Sequence, residues 1–340
     1  MSDLNIEQPE ALLRYLRQDG RLATDEAAVC TVLAGGVSNR TVLVERSGGE
    51  AWVIKQALPK LRVAEDWFSD PARILCEALG LTWLARFAPP GSITPIVFED
   101  RERHLLAMQA VPPPHENWKT QLLAGRLERD QIVQFGQLLG TIHRRSHEFQ
   151  PEIAPVFEDR IFFETLRLEP YYRLSATRNP ATSGFFSELI ADTLAARLSL
   201  VHGDYSPKNI LVHEGRLILL DHEVIHFGDP AFDLGFSLTH LLSKAHHVRA
   251  HRTAFLQAVK WYWESYCQSA GEIPRLPGWE RRAVRHSLAC LLARVDGRSP
   301  LEYLTLSERN RQREIVLSMI ADRPVSVLDL AQKFGKKLNA

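Results

Sequence analysis

The stretch HGDYSPKNILVHEGRLILLDHE, residues 202–223, constrains the fold more than any other segment. Two short apolar runs, Ile210–Val212 and Leu217–Leu220, flank Glu214-Gly215, a dipeptide suited to a two-residue turn. The pattern predicts a β-hairpin in which His213 pairs with Arg216 and Ile210 with Leu219. Asn209 then falls opposite Leu220, beside Asp221, at the open end of the hairpin. Asp204 hangs from the loop just before it, where Ser206 and Pro207 disfavour regular structure.

A carboxylate, an amide oxygen and a second carboxylate gathered at one end of a hairpin form a set of hard oxygen donors. Mg2+ takes one or two carboxylates together with water and substrate phosphates, which leaves one carboxylate to orient a hydroxyl. Asp and Asn are also ordinary turn formers, and three of them alone leave both readings open. The order His-Gly-Asp, four residues, Asn, strand, turn, strand, Asp is what favours a phosphoryl-transfer site.

In HGDYSPKN and LLDHE the chain resembles the aminoglycoside phosphotransferase and choline kinase superfamily, small-molecule kinases similar in fold to protein kinases. The resemblance implies an α+β, bilobal fold: a small antiparallel β-sheet lobe followed by a larger, mostly helical lobe. It implies ATP and Mg2+ as cofactors, Asp204 as the catalytic aspartate, and Asn209 and Asp221 as metal ligands. Gly203, where protein kinases carry Arg, favours the small-molecule branch, and no A-P-E segment follows Asp221. Asp233, in GDPAFDLGF, resembles a structural tie of the catalytic loop, and His202 a brace. Lys208 and Glu223 are candidate substrate contacts; Lys208 either reaches the transferred phosphate or lies exposed.

The rest of the chain supplies candidates for holding the nucleotide. Residues 8–18 read as a helix, and strands are expected over 28–33, 41–46 and 51–56, with Gly48-Gly49 as a turn. Gly35, Gly36, Ser38 and Asn39 lie between the first two strands, where glycine lets backbone N–H groups approach phosphate. Lys55 in AWVIKQ is the candidate for the α- and β-phosphates, in place of an ordinary solvent-facing lysine. Asp70 as N-cap and Pro71 at the first position open a helix with Ile74, Ala78, Leu81 and Ala85 on one face. Glu77 beside that stripe needs a partner if it faces inward, and Lys55 is the expected one, with Glu65 or Asp66 as alternatives to Glu77. Two further strands are expected near 93–98 and 104–109. Gln109 and Val111 fall where the superfamily's hinge backbone reads the adenine.

VPPPHEN, with three prolines, is expected to continue no regular element. The lobe boundary is placed there, giving a nucleotide-binding lobe over 1–109 and a helical lobe with the catalytic hairpin and acceptor pocket over 110–340. Helices are expected over 130–146, 252–268, 279–295 and from 307 onward.

The acceptor is expected to be a small hydroxylated metabolite, a sugar or amino alcohol. Residues 146–180 mix Glu148, Glu152, Glu158, Asp159, Glu164 and Glu169 with Arg160, Arg167, Arg173 and Arg178, which is not the acidic trough a polycationic aminoglycoside needs. Arg294 and Arg298, around Asp296, resemble loosely the arginine pair of methylthioribose kinases; they also suit a helix C-terminus. Trp118 either closes the pocket edge or packs in the core. Aminoglycoside phosphorylation and a nucleotide-binding pseudokinase are the alternatives.

Lys plus Arg and Asp plus Glu number 41 each among 340 residues, so no charge excess points to nucleic acid or an anionic membrane. The N-terminal segment lacks a signal peptide's apolar core, and no apolar run spans a bilayer. Cys30, Cys76, Cys267 and Cys290 are scattered, which argues against a metal cage or disulfide framework and for a reducing, cytoplasmic compartment.

Overall fold

The computed structural model describes residues 4–34, 36–63 and 66–340. Strands β1 (Ala28–Val32), β2 (Asn39–Arg46), β3 (Ala51–Ala57), β4 (Ile96–Asp100) and β5 (Leu105–Gln109) form an antiparallel sheet in the order β1-β2-β3-β5-β4. β2 starts at Asn39, two residues earlier than the sequence predicts. β4 starts later, at Ile96, because Ile93 instead bridges to Leu219 of the hairpin.

Side chains alternate along β3. Trp52 and Ile54 join Val42, Val44 and Leu105 on one face, closed by Leu12, Tyr15 and Leu16 of helix α1 (Pro9–Gln18). Val53 and Ala57 point the other way, against Ile74, Ala78 and Leu81 of helix α2 (Arg73–Phe87). Lys55 shares this second face. Helix α2 begins after Pro71 rather than at it. Asp70 Oδ1 accepts the Ala72 N–H at 2.9 Å, and Arg73, Ile74 and Leu75 each donate to the carbonyl three residues back, a tighter entry turn.

After Gln109 the sheet ends, but VPPPHEN is not wholly irregular. His115–Asn117 forms a short strand, β6, and Asn117 Oδ1 caps helix α3 (Trp118–Leu123) through the Lys119 N–H at 3.1 Å. Three residues are too few to show a period, and an edge position tolerates the preceding prolines. Strand β7 (Ser199–Val201) pairs with β10 (His226–Gly228); between them lie β8 (Ile210–His213) and β9 (Arg216–Leu219). β6 pairs with β8, making the hairpin three-stranded. The hairpin has the expected register, Ile210 opposite Leu219 and His213 opposite Arg216. Glu214 and Gly215 have φ of 49° and 74°, the positive pair a type I′ turn requires.

The remainder is helical: α4 (Arg129–Glu148), α5 (Ser183–Ala195), α6 (Ala231–His247), α7 (Arg252–Ser269), α8 (Trp279–Asp296), α9 (Leu306–Ala321) and α10 (Val327–Asn339), with a π-helix over Glu164–Arg173. Helix α6 is buried from Ala231 to His246 and packs against α7 and α8 at the centre of the lobe. Trp118 lies in this core, its Nε1 donating to Gln131 Oε1 at 2.8 Å, so it does not edge a pocket. Among the described residues no helix is long and apolar enough to cross a membrane.

Candidate active site

The hairpin and the start of α6 build the catalytic-type loop. Gly203 has φ 77°, and a Cβ there would lie 2.8 Å from Val224 Cγ2, so glycine alone lets the chain turn at this point. Asp233 accepts the N–H groups of His202 at 2.7 Å and Gly203 at 2.8 Å. His202 Nδ1 accepts from the Asp204 N–H at 3.1 Å, and its Nε2 faces the Leu220 carbonyl at 3.2 Å. The loop is therefore gripped from the helix side and the hairpin side at once.

Pro207–Asn209 is a short 3-10 turn rather than open loop. Asn209 Nδ2 donates to Asp204 O at 3.0 Å and to Asp204 Oδ2 at 2.7 Å, which leaves the amide oxygen as the atom able to face a cation. The Leu220 N–H reaches Asn209 O at 2.9 Å and brings Asn209 beside Asp221. Asp221 has φ 68°, a left-handed conformation that costs roughly 1–2 kcal/mol.

Asp221 meets the sheet lobe through Lys55. Lys55 Nζ lies 2.6 Å from Glu77 Oε1 and 3.0 Å from Asp221 Oδ1. Glu77 is fully buried, and its Oε2 has no hydrogen-bond partner among the described residues. Burial pushes the Glu77 carboxyl above the ordinary carboxylate range, against the pull of Lys55. Burial pushes Asp221 upward too, but Lys55 and Lys208 outweigh it and hold that carboxyl below its ordinary value. Burial disfavours the Lys55 charge, and Asp221 and Glu77 restore it. Asp66 pairs instead with Lys60, at 2.6 Å, and Glu65 lies outside the described residues.

In the sequence Arg167 is one charge in a mixed stretch. In the structure the π-helix aims it at the loop. Its Nη2 lies 3.2 Å from Asp204 Oδ2, and its Nε donates to the Gly203 carbonyl at 2.7 Å. No local spacing signals this, because an arginine on a π-helix follows neither helical nor strand periodicity; such segments are frequent at functional sites.

Other expected positions lie apart from this cluster. Gly36 is exposed in the loop before β2, and Gly35 lies outside the described residues. Ser38 and Asn39 turn inward: both are buried, with Asn39 Nδ2 3.2 Å from Ser38 Oγ and 3.4 Å from Glu223 Oε2. Glu223, expected as a substrate contact, faces the fully buried Arg73, whose Nε is 3.1 Å away. Arg73 also donates to the carbonyls of Ser38 and Leu58, and among the described residues no acid but Glu223 pairs with it. The N–H groups of Gln109 and Ala110 bond to the Pro95 and Ala51 carbonyls, and Val111 is buried just beyond them.

Lys208 is exposed, its backbone carbonyl accepting from Asn117 Nδ2 at 2.7 Å. Arg294 and Arg298 differ in their surroundings. Arg294 is buried and points into the helical lobe. Gly297 ends helix α8 between them, and Arg298 emerges exposed over the Trp67 ring, 5.6 Å from its centroid.

The pattern of the APH family, described as a phosphotransferase enzyme family, matches residues 29–283. Methylthioribose kinase of Pectobacterium carotovorum subsp. carotovorum is 25% identical over 257 residues, or 68% of this chain. The match spans 64% of that kinase, less than two thirds of its length. Among solved structures, an ethanolamine kinase of Plasmodium vivax has a TM-score of 0.57 at 11% identity, covering 94% of this chain and 91% of its own. APH(2")-IIa, in a ternary complex with streptomycin and ATP, has a TM-score of 0.51 at 13% identity, covering 98% and 99%. These structural likenesses concern the fold, a small antiparallel sheet lobe joined to a large helical one.

Proposed function

The chain belongs to the APH phosphotransferase enzyme family, and on that footing we propose that it is an ATP- and Mg2+-dependent kinase of a small hydroxylated metabolite, a sugar or amino alcohol. The observation that carries this reading is the linked network Glu77–Lys55–Asp221 and Asn209–Asp204–Arg167, which joins a cation-ready edge to a lone hydroxyl-orienting carboxylate.

Asn209 and Asp204 share Oδ2 contacts, and Arg167 touches the same oxygen, which leaves Asp204 Oδ1 to face the acceptor. The acceptor hydroxyl attacks the γ-phosphorus in line. The bond to the bridging oxygen breaks, ADP leaves, and the hydroxyl proton passes to Asp204. Lys55 holds the α- and β-phosphates, Gly36 lies in the loop over them, and the adenine edge falls to the hinge backbone at Val111.

Asn209 and Asp221 fit Mg2+, a hard cation that takes few protein oxygens. Among the described residues no three His, Cys, Asp or Glu side chains would hold a metal by themselves, which suits an ion that arrives with phosphate and water. When bound, the ion supplies charge neutralisation on the phosphate oxygens. Residues 1–109 are the nucleotide lobe and 110–340 the acceptor lobe. Four free cysteines fit a reducing compartment, the cytoplasm.

The test is ADP release from MgATP across a panel of hydroxylated metabolites. Acceptor-dependent release that EDTA abolishes is the expected result; release that no acceptor stimulates overturns the reading.

A further inference from the structure

Helices α6 and α8 pack together and carry two cations into the helical lobe. Lys244, on α6, is fully buried. Its Nζ reaches the His240 carbonyl at 3.5 Å, and the Tyr303 ring centroid is 5.4 Å away. Arg294, on α8, donates to Tyr171 Oη at 3.0 Å and Ser299 O at 2.8 Å, and its Nε has no hydrogen-bond partner among the described residues. His240 Nε2 lies 3.4 Å from Arg294 Nη2. Among the described residues, neither Lys244 nor Arg294 has a carboxylate within 4.0 Å.

A buried charge without a counter-charge is among the costliest arrangements a fold can keep. Burial, with Lys119 and Arg294 nearby, lowers the Lys244 ammonium to about 7, against the pull of Glu302. Burial together with Arg294, Lys244, Lys119 and Lys208 holds His240 neutral. Glu302 is exposed and already paired with Lys119. The fold therefore gathers two basic side chains here, with no carboxylate within 4.0 Å of either among the described residues.

The cluster adjoins the catalytic-type loop. Arg294 stands over the Tyr171 ring at 5.1 Å, and Arg167, which touches Asp204, stands over the same ring at 5.7 Å. One aromatic ring thus separates Arg294 from Arg167, the residue that touches Asp204.

We propose that the acceptor is an acid: a hydroxylated metabolite whose carboxylate or phosphate group is seated by Lys244 and Arg294 while its hydroxyl meets Asp204. This deepens the kinase reading and rests on it. It disfavours polycationic acceptors, which these charges repel.

The test uses the full chain with its nucleotide site filled by saturating Mg2+ and a non-hydrolysable ATP analogue. Thermal unfolding is followed in sodium phosphate, acetate and chloride at equal ionic strength. Phosphate or acetate raises Tm by about 2–4 °C over chloride, and Lys244→Met abolishes the rise. Replacing a buried lysine by an apolar side chain of similar size leaves the basal Tm unchanged or higher, and Lys244→Arg, which keeps the charge, retains the ion-dependent rise. Phosphate and acetate distinguish the two acidic groups. Equal Tm in all three salts, or an undiminished rise in Lys244→Met, overturns the proposal.

A kinetic arm compares glucose, glucose 6-phosphate, gluconate and glucosamine, which share a skeleton and differ in charge. Tenfold or greater preference in kcat/KM for an acidic member supports the acid site. Preference for glucose or glucosamine overturns it with the kinase reading intact. ADP release that none of the four stimulates counts against the kinase reading, while the thermal measurement still decides the acid site.

Discussion

Arg167 Nη2 rests 3.2 Å from Asp204 Oδ2 while its Nε holds the carbonyl of the preceding Gly203 at 2.7 Å. One guanidinium thus fixes both the backbone and the carboxylate of the residue assigned to the acceptor hydroxyl. Arg167→Met is expected to lower kcat by at least about 10²-fold, with the KM for ATP little changed. Arg167→Lys restores only part of the loss, because one ammonium cannot make two forked contacts. Steady-state kinetics on both variants checks this; equal losses in kcat and in ATP affinity would count against a positioning role.

Lys55 answers a fully buried carboxylate. Removing the lysine leaves Glu77 fully buried beside Asp221. The Glu77 carboxyl already sits above its ordinary range, so the fold favours its protonated form. Stability from such a group is present at low pH and is lost as pH rises through the folded value. Lys55→Met is therefore expected to lose Tm between pH 5.5 and pH 8 more steeply than the parent chain, and to bind MgATP at least about tenfold more weakly. A parallel pH profile for the two proteins contradicts this account of the pair.

Arg73 and Glu223 make a second buried ion pair, reaching from the base of α2 to the segment just after Asp221. Arg73→Met strands the Glu223 carboxylate and is expected to cost about 3–5 kcal/mol in urea unfolding. Arg73→Met combined with Glu223→Met removes both charges and recovers much of that loss. A double variant as unstable as the single one would show that the cost comes from the lost Ser38 and Leu58 carbonyl contacts instead.

His226 is buried against the Phe163 ring, with 4.0 Å between centroids, and burial lowers its pKa to about 4. A neutral buried imidazole contributes stability above the unfolded value of 6.5, and that contribution is lost as pH falls toward 4. The slope from one such group is about 1.4 kcal/mol per pH unit. His226→Asn is expected to flatten the decline in unfolding free energy between pH 6.5 and pH 4.5. Urea titrations across that range measure the difference; an unchanged slope excludes His226 as a source.

Local pattern carried the sequence reading where geometry is local. The turn at Glu214-Gly215 and the two apolar runs determine the hairpin register, so the closeness of Asn209 and Asp221 was legible. The period of two in β3 and of 3.6 in α2 placed Lys55 and Glu77 on facing surfaces before any distance was known. Arg167 and Lys244 are not legible in this way. The Gly203 carbonyl that Arg167 reaches is 36 residues along the chain, and Lys244 interrupts an apolar run on α6 that reads simply as core. The Glu223 contact with Arg73 is illegible for a related reason: the two residues are 150 apart in the chain. The strand at His115–Asn117 exists only because β8 offers it an edge.

The account stands most directly on Asp204. Turnover of Asp204→Ala should be measured by ADP release with the acceptor that the wild-type chain uses best, alongside calorimetric binding of MgATP. The account predicts that kcat falls by about 10³-fold or more while nucleotide affinity stays near that of the wild type. Near-normal turnover in Asp204→Ala would contradict it.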